Sequence, residues 1–373
     1  MTNAVVSITI FSMLGSTLQF AIVGCGVIGP THADALTALQ PEGVRLAAFA
    51  DAVPEKAEAM AAKYGAEAKT FDAILADPAI DAVHVCVPSG LHAELGVRAL
   101  RAGKHVVVEK PMDVSLAACD KLLATQREAG KRLAVISQHR FDKASIDVKA
   151  ALENGILGPM VYAEARVPWY RTQEYYDSGD WRGTWALDGG GALMNQGVHT
   201  ADLMRWLCGP VETVYAQART LAHARVETED VIAATLTFAS GAIGTLSAST
   251  ALYPGFAVRI GVYGTEGSAI MEGDMLHTLT TKSGLSGGGE ASQAHALQVA
   301  TGGTKAATEA SAMATASDPA AIWGGAHEAQ IADFIRCCRT GETPIVDGVE
   351  GRKAVEVVLA VYESARTGQV VRL

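Results

Sequence analysis

The chain has 373 residues, of which 49% are hydrophobic and 19% charged, and its formal net charge is -10. This length exceeds what one hydrophobic core usually supports, so we expect two domains, and the composition excludes wholesale disorder. The negative charge, together with the lack of a Lys/Arg-rich run, excludes nucleic acid as a partner and disfavours an anionic membrane surface.

The cysteines and the first residues of the sequence bear on the compartment. Six cysteines occur without a CxxC pair or a regular spacing, which indicates reduced thiols and a cytoplasmic protein. The apolar stretch Val5 to Leu14 is too short to span a bilayer, and no Lys or Arg precedes Arg45, as a secretory signal requires. We therefore treat residues 1–16 as an extra N-terminal segment, with Met13 as a hypothetical alternative start.

From Leu18 onward, short apolar runs alternate with helical patterns. Helices are predicted to begin at about Pro30, Pro54, Leu91 and Val114, between the runs LQFAIVG, VRLAAFAD, AVHVCVP, HVVVEKP and RLAVISQ. Strands of near-continuous Val, Ile and Ala that alternate with helices are typical of a parallel sheet covered on both faces. Residues 17–140 are therefore predicted to form a doubly wound α/β domain.

After about Phe141 the pattern changes. A helix is predicted at about Ala144 to Glu153, and several strands follow with few helices between them: MVYAEARV, VETVYAQART, VIAATLTFA, AIGTLSAST, AVRIGVYG and SAIMEG. Turn signals such as Ser240-Gly241 separate these strands, which favours a large, mostly antiparallel open sheet. We predict that residues 141–373 form an α+β domain.

Three further features complete this second domain. One helical stretch, roughly Ala192 to Cys208, interrupts the strands and carries polar residues. Residues 282–321 are rich in Gly, Ser, Ala and Thr and are predicted to form a flexible loop. Two closing helices are expected at Ala326 to Arg339 and at Gly351 to Thr367.

The first strand leads directly into a glycine-rich loop that opens the first helix. The glycines in the spacing GxGxxG provide a tight turn, room for the backbone to approach a pyrophosphate, and close helix–strand packing. The N–H groups at the helix start then face the anion. We predict a Rossmann-type dinucleotide site that includes Gly24, Gly26, Val27, Ile28 and Gly29. The alternative is a glycine-rich turn without a ligand.

Asp51 closes the second strand, about 20 residues further on, where a carboxylate accepts hydrogen bonds from the adenosine ribose. A carboxylate there repels the 2′-phosphate of NADP, and no Arg follows it in Ala52-Val53-Pro54. The predicted cofactor is therefore NAD, with NADP disfavoured. Asp51 as a helix N-cap is the structural alternative, and the two roles are compatible.

Two further motifs make the chain resemble the Gfo/Idh/MocA family of oxidoreductases, from about Leu18 to the C-terminus. Val108-Glu109-Lys110-Pro111 matches the family's EKP, and the run from Gly189 to Asp202, GGGALMNQGVHTAD, matches its GGGxLxDxGxHxxD. The resemblance implies a Rossmann domain followed by a large open sheet, an active site that draws on both, and a cis bond before Pro111. It also implies oxidation of a sugar or cyclitol such as an inositol.

The chemistry of alcohol oxidation points to residues in both motifs. A base must take the hydroxyl proton while hydride leaves for the nicotinamide, and we predict His199 as that base. Lys110 lies at the carboxyl end of a parallel strand, where such sheets bind ligands, and its ammonium can hydrogen-bond the substrate oxygen or share the proton. Which of the two accepts the proton first stays open. Glu109 and Lys110 are also predicted to contact the cofactor.

If the stretch after Gly191 is helical, Asn195, His199 and Asp202 lie along one face, as residues that line a cleft would. Where Asn195 stands the family often has a carboxylate, and because an amide cannot accept a proton we predict that Asn195 binds substrate. Some sugar-nucleotide members resemble this sequence in carrying Asn there, which keeps a sugar-nucleotide 3-dehydrogenase as an alternative. His199 with Asp202 lacks a suitably spaced third ligand, so we predict no metal.

Two other segments are expected near the ligands. The loop with Pro88, Ser89 and His92 resembles the family's loop near the nicotinamide, and its predicted role is backbone positioning; His92 is equally compatible with an ordinary first helical turn. The segment Trp169 to Trp185 is rich in aromatic residues and Arg, which can stack on a sugar face and hydrogen-bond its rim. From it we predict substrate contacts by Tyr176, Trp181 and Arg182. A loop packed at a subunit interface is the alternative.

These features together predict an NAD-dependent dehydrogenase that acts on a secondary carbinol of a sugar or cyclitol. The open C-terminal sheet suggests a homodimer or homotetramer. Two other functions use the same parts: an NAD-dependent glycosidase, and a non-catalytic regulator that binds NAD and a sugar.

Overall fold

The first sheet of the protein, in a computed structural model that describes residues 17–284 and 325–373, is parallel and six-stranded. Its strand order is β3-β2-β1-β4-β5-β6. The strands are β1 (Leu18–Val23), β2 (Val44–Ala50), β3 (Glu67–Ala68), β4 (Ala82–Val85), β5 (His105–Val108) and β6 (Leu133–Val135). The order reverses between β1 and β4, and doubly wound sheets bind ligands beyond the carboxyl ends of the strands at this point.

Helices and short 3₁₀ turns join these strands. The helices are α1 (Gly29–Ala38), α2 (Pro54–Tyr64), α3 (Phe71–Ala76), α4 (His92–Arg101) and α5 (Leu116–Ala129), and the 3₁₀ turns are Gln40–Glu42 and Ser89–Leu91. Pro stands in the first turn of both α1 and α2, where its missing N–H costs no hydrogen bond. Gly65 and Gly130 end α2 and α5 in the left-handed conformation.

The second sheet is eight-stranded, in the order β13-β12-β11-β7-β10-β9-β8-β14. All neighbours are antiparallel except β7 and β10, which pair in parallel. The strands are β7 (Met160–Pro168), β8 (Val211–Arg219), β9 (Val231–Phe238), β10 (Ile243–Ser249), β11 (Arg259–Gly264), β12 (Gly267–Glu272), β13 (Met275–Thr281) and β14 (Val371–Arg372). The predicted fold class, a Rossmann-type sheet followed by a mostly antiparallel one, is confirmed.

The second sheet packs helices against one face. They are α6 (Lys143–Glu153), α7 (Gln173–Asp177), a π-helical segment (Ala192–Gly197) that continues into α8 (Val198–Cys208), and a 3₁₀ turn at Gln138–Phe141. Buried and exposed residues alternate along β9, as they must in a strand with one covered face. Two helices follow residue 324: α9 (Gly325–Thr340) and α10 (Gly348–Thr367).

Contacts divide the chain into two units, and this division differs from the predicted domains. The first unit ends at Ile136 and also contains residues 325–352; the second runs from Ser137 and takes in the chain after Arg352. We expected all residues after 140 in the second domain. The helix α9 groups with the first unit because its apolar residues Ile331, Phe334 and Ile335 are buried in the core of that unit.

Several predictions concern residues outside the described part of the chain. The N-terminal segment 1–16, with the hypothetical start at Met13, lies there, and so does most of the loop predicted at 282–321. Among the described residues, none of the helices combines the length and the apolar character that a membrane crossing needs.

Candidate active site

The glycine loop lies between β1 and α1, at the carboxyl edge of the first sheet. Gly24 has a φ of +102°, and a Cβ there would be 2.1 Å from the backbone oxygen of Cys86, which follows β4. A Cβ on Gly29 would be 2.7 Å from the oxygen of Gly24. Both positions therefore require glycine, because any side chain would meet backbone.

Gly26 differs from these two glycines. Within the described residues, no heavy atom lies within 4 Å of a Cβ built on Gly26. Val27 beside it is 58% exposed, whereas Ile28, the N-cap of α1, packs against the core. The apolar side chain of Ile28 cannot cap the helix, Pro30 has no N–H, and Thr31 N–H donates to the Ile28 oxygen, so the N–H of Gly29 is the one in the first turn that suits an anion. The loop therefore has space for a pyrophosphate at Gly26, next to the N-terminus of α1.

Asp51 is fixed by two backbone groups. Its Oδ2 accepts a hydrogen bond from Cys25 N–H (2.7 Å), and its Oδ1 accepts one from Val53 N–H (2.8 Å). The N-cap of α2 is Val53, so the alternative that Asp51 caps this helix is wrong. Each carboxylate oxygen keeps a further lone pair, which suits ribose hydroxyls.

His92 connects two loops at the same edge of the sheet. Its ring nitrogens lie 2.8 Å from the Val87 oxygen and 2.7 Å from the Pro111 oxygen, and the Lys110–Pro111 bond is cis, as the family resemblance implied. Burial lowers the pKa of His92. Pro88 precedes the 3₁₀ turn that Ser89 begins. These contacts support the predicted positioning role of the loop.

Glu109 is buried beneath Lys110. One of its oxygens lies 2.8 Å from His32 Nε2, and the other accepts the N–H of Lys110 at 3.0 Å. Burial acts to raise the pKa of Glu109, but the hydrogen bond from His32 and the proximity of His327, 3.8 Å away, outweigh it and hold the pKa well below its usual range. His84 Nδ1 in turn lies 2.8 Å from His32 Nδ1. Glu109 thus positions the backbone of the half-buried Lys110.

These three histidines could not be identified as a cluster from the sequence. A single histidine within a strand or helix carries no local signal, and His32, His84 and His327 meet only through the tertiary fold. His32, Glu109 and His327 also bring three metal-ligand atoms within 4.8 Å of one another, as do His139, Asp142 and Asp274 in the second unit. The predicted absence of a metal therefore stays a prediction.

In the second unit, the glycine-rich motif forms the start of a long helical segment. Residues Ala192–Gly197 are π-helical, so the spacing that the sequence analysis assumed for Asn195 and His199 does not hold. The Asn195 amide nitrogen donates to the Asp188 carboxylate, and its oxygen accepts from Gln196 Nε2 at 3.1 Å. The half-buried ring of His199 lies edge-on to His139, with 5.2 Å between their centroids.

Asp202 does not line a cleft. It is 1% exposed and accepts hydrogen bonds from Arg140 and from Ser137 (2.8 Å). The polar stripe that the sequence suggested is therefore divided: Asp202 anchors the helix α8, and His199, one turn earlier, is half-buried.

The aromatic segment also divides into two parts. Tyr176 is 6% exposed and its hydroxyl lies 2.7 Å from the Thr250 hydroxyl, so it packs in the core, and its predicted substrate contact stays a prediction. The guanidinium of Arg182, by contrast, lies over two rings, 4.2 Å from the centroid of Tyr175 and 4.6 Å from that of Trp181. Arg182 and Trp181 thus remain the predicted substrate contacts here.

A hydrogen-bonded network joins this segment to the motif. Gln196 Nε2 donates to the Tyr175 hydroxyl (2.9 Å), and Arg171 Nη2 donates to Gln196 Oε1 (3.3 Å). Because Gln196 also bonds Asn195, two predicted substrate-binding regions of the second unit share one network. Gln196, Tyr175 and Arg171 were not among the predicted site residues, because their bonds to one another depend on the tertiary fold.

Comparisons with known proteins agree with this geometry. Residues 18–137 match a family model described as "Oxidoreductase family, NAD-binding Rossmann fold", and residues 146–270 match the "GFO/IDH/MocA C-terminal domain". An inositol 2-dehydrogenase from Rhizobium meliloti (strain 1021) is 33% identical over 262 residues, which cover 69% of this chain and 76% of that protein. A scyllo-inositol 2-dehydrogenase (NAD(+)) from Bacillus subtilis (strain 168) is 28% identical over 362 residues, which cover 95% of this chain and 96% of that protein.

Solved structures of dehydrogenases also resemble this chain. The WlbA dehydrogenase from Bordetella pertussis, crystallised with NADH and UDP-GlcNAcA, is similar with a TM-score of 0.82 and 32% identity, over 96% of this chain and 98% of that one. The predicted cofactor, NAD, and the predicted class of enzyme, a dehydrogenase of CH–OH donors, are confirmed by these relatives.

Proposed function

Because this chain belongs to the Gfo/Idh/MocA family of NAD-binding oxidoreductases, we propose that it oxidises a secondary carbinol of a cyclitol such as an inositol, or of a sugar. The observation that carries the proposal is the arrangement around Lys110. Glu109 bonds Lys110 N–H and His92 bonds the Pro111 oxygen, so the backbone is held on both sides of the Lys110–Pro111 bond, directly after β5 and at the same sheet edge as the glycine loop. Doubly wound sheets bind their ligands at that edge.

The proposed reaction divides the work between two side chains. The glycine loop and Asp51 would hold NAD, which would supply the acceptor for the hydride of the carbinol carbon. The Lys110 ammonium hydrogen-bonds the substrate oxygen and stabilises its developing negative charge. His199 takes the hydroxyl proton, so the products are a ketone and a proton held on the imidazole. Arg182, Trp181 and Asn195 bind the hydroxyl groups and the apolar face of the ring.

Asn195 fits a binding role better than a catalytic one. Its amide is held between Asp188 and Gln196, so its orientation is fixed. An amide has no titratable proton near neutral pH, and His199 must therefore act without a carboxylate at this position.

A sugar nucleotide is the second candidate substrate. The relative crystallised with UDP-GlcNAcA is 32% identical over almost the whole chain, which matches the identity to the inositol dehydrogenase. Arg182, held over two aromatic rings, supplies a cation that suits an acidic or phosphorylated sugar.

We also propose a homodimer or homotetramer formed through the second sheet. Large apolar side chains are exposed on one face of this sheet: Tyr215 on β8 and Ile243 on β10 are 41% and 58% exposed. Exposed apolar groups on one sheet favour burial against a partner.

The six cysteines all lie in the described residues and none is in a disulfide, which supports a reducing compartment.

The test is a screen for NADH formation with inositols, free pyranoses, glycosides and nucleotide sugars. We expect activity with at least one class, and a fall in kcat of about 10²- to 10⁴-fold in His199→Ala with unchanged NAD binding. Lys110→Ala is expected to lose activity as well, and His277→Ala, an exposed histidine on β13, serves as the control. Glycoside cleavage without net NADH would support the glycosidase instead, and NAD binding without any turnover would support the regulator.

A further inference from the structure

One glutamate holds the start of the helical segment that contains the predicted base. The carboxylate of Glu229 accepts hydrogen bonds from Gly191 N–H (3.0 Å) and from Leu193 N–H (2.8 Å). Its backbone oxygen accepts a third, from Ala192 N–H (3.0 Å). Glu229 lies just before β9, so this cap comes from a distant part of the chain rather than from the segment itself.

Tyr362 on α10 completes the arrangement. Its hydroxyl donates to Glu229 Oε1 (2.9 Å) and accepts from Met194 N–H (3.0 Å). Four consecutive N–H groups, from Gly191 to Met194, therefore have acceptors, three on Glu229 and one on Tyr362. The first N–H groups of a helix have no partner within the helix, and burying them without one is costly.

The glycines of the motif make room for these two residues. A Cβ on Gly191 would lie 1.8 Å from the backbone oxygen of Glu229, and a Cβ on Gly190 would lie 2.2 Å from the Tyr362 hydroxyl oxygen. Close approach of Glu229 thus explains glycine at position 191, and close approach of Tyr362 explains glycine at position 190.

We propose that Glu229 is a positioning residue for the reaction: together with Tyr362 it fixes the start of the segment and thereby the placement of Asn195 and His199. This inference rests on the proposed role of His199. A carboxylate at a helix start also complements the helix dipole. The π-helical stretch between the cap and His199 lacks the regular bonding of an α-helix, so its geometry depends on how its first residues are held.

The charge of Glu229 changes near neutral pH. Burial raises the pKa of Glu229 to about 7, against the hydrogen bonds that lower it. The titratable groups that face it are Tyr362 and Tyr176, and burial together with this carboxylate raises the pKa of both. Its neighbour Asp230 is bonded to His223. Within residues 17–284 and 325–373, no Lys, Arg or His forms an ion pair with Glu229.

Protonation has a direct effect on the cap. A protonated carboxyl replaces one acceptor lone pair by a donor, and all its hydrogen-bond partners, Gly191, Leu193 and Tyr362, are donors. Protonation therefore removes the negative charge that strengthens the bonds from these three donors. We expect the start of the segment to loosen as the pH falls through about 7.

Hydrogen–deuterium exchange at the amides from Gly191 to Met194 tests the cap without reference to activity. In E229Q the side-chain amide offers a donor where an acceptor is needed, so we expect Gly191 and Leu193 to exchange faster by about tenfold or more. Y362F removes one hydroxyl, and Met194 should respond most. E266Q, at an exposed glutamate between β11 and β12 of the second sheet, is the control and should change none of these amides.

Kinetics then test the link to the reaction. At pH 8 we expect kcat of E229Q to fall by about 10- to 100-fold, because a small displacement of a catalytic group has effects of this size. NAD affinity should equal that of the wild type, since the glycine loop is in the first unit. The ratio of kcat between the wild type and E229Q should narrow as the pH falls from 8 to 6, because the wild type loses its own charged carboxylate near pH 7. Protonation of the proposed base His199 lowers kcat in both proteins and cancels in this ratio, and a general loss of stability would not produce the change.

The outcomes separate the two proposals. Unchanged exchange and unchanged kcat in E229Q and Y362F, with an active wild type, would overturn the positioning role alone. A wild type that oxidises no alcohol would contradict the proposed function and the positioning role with it. Should E229Q fail to fold, as circular dichroism would show, Y362F carries the test through the exchange of Met194 and through kcat.

Discussion

Arg140 and Asp202 form a bidentate ion pair whose side chains are only 1% and 2% exposed. The Arg140 Nε donates to Asp202 Oδ2 at 2.7 Å, and Asp202 lies one helical turn after His199. Asp202→Asn keeps the shape but leaves a buried guanidinium without its counter-charge. We predict a loss of about 3–5 kcal/mol in the free energy of unfolding, measured by urea denaturation, because breaking a buried ion pair leaves one charge buried without compensation.

A surface pair provides the control for this prediction. Lys143 and Asp147 form an ion pair whose side chains are 87% and 37% exposed. Asp147→Asn should therefore change the free energy of unfolding by no more than about 1 kcal/mol. Equal effects of the two substitutions would contradict the assignment of Asp202 as a structural anchor.

The two glycines of the dinucleotide loop are predicted to respond differently to the same methyl group. Gly24→Ala places a Cβ 2.1 Å from the Cys86 oxygen at a φ of +102°, so it should lower the free energy of unfolding by more than about 1–3 kcal/mol. Gly26→Ala meets no heavy atom of the described residues within 4 Å and should keep the wild-type Tm. It should nevertheless weaken NAD binding by at least about tenfold, or about 1.4 kcal/mol, because the methyl group occupies space that the pyrophosphate needs.

Thermal unfolding and a fluorescence titration with NADH measure the two effects on the same samples. If Gly26→Ala binds the dinucleotide as tightly as the wild type, the pyrophosphate does not approach this residue. In that case the proposed cofactor position is wrong even though the loop is folded as described.

The fold could be predicted where strands are long and apolar on at least one face. The run at β1 and the alternation along β9 each identify a strand without further information. The two-residue strands β3 and β14 are too short for any periodicity. The parallel pairing of β7 with β10 depends on the tertiary path of the chain, which alternation does not encode.

The site was predictable only where a motif implies local geometry. The glycine loop does so, and its backbone agrees with the prediction. Asp202 does not, since its partner Arg140 lies 62 residues earlier and a buried acid looks the same in sequence as one that lines a cleft. The π-helical segment has one more residue in a turn than an α-helix, which a hydrophobic pattern over six residues cannot reveal.

Arg182 is predicted to discriminate between the two candidate substrate classes. Its guanidinium lies over Tyr175 and Trp181, and within the described residues it forms no ion pair. In Arg182→Met we expect KM for a nucleotide sugar or a uronate to rise by about tenfold or more, since a charge-assisted hydrogen bond contributes about 1.5–3 kcal/mol. KM for a neutral inositol should rise less. Equal effects on charged and neutral substrates would show that Arg182 does not bind an anionic group.

Tyr176 tests the other part of the aromatic segment. In Tyr176→Phe the buried bond to the Thr250 hydroxyl is lost, and the free energy of unfolding should fall by about 1 kcal/mol. KM should stay at the wild-type value for every substrate, because the side chain packs in the core. A raised KM without a change in stability would support the substrate contact of Tyr176 that was predicted from the sequence.

His105 is predicted to make stability depend on pH in the acid range. Burial, with smaller contributions from Lys131 and Arg132, lowers the pKa of His105 from its ordinary 6.5 to about 4. Its Nδ1 accepts the N–H of Arg132 at 3.0 Å, and protonation would destroy this hydrogen bond. The folded state therefore keeps His105 neutral down to about pH 4.

The unfolded chain, by contrast, binds a proton at this residue below about pH 6.5. Between these two pH values the unfolded state holds more protons, so the free energy of unfolding falls as the pH falls, by at most about 1.4 kcal/mol per pH unit for one group. His105→Asn keeps an acceptor for Arg132 but cannot titrate, and its stability should decrease less than that of the wild type between pH 7 and pH 5, as urea denaturation at both pH values would show. Parallel decreases in the two proteins would mean that His105 titrates alike in the folded and unfolded states, and that its contact with Arg132 does not depend on a neutral ring.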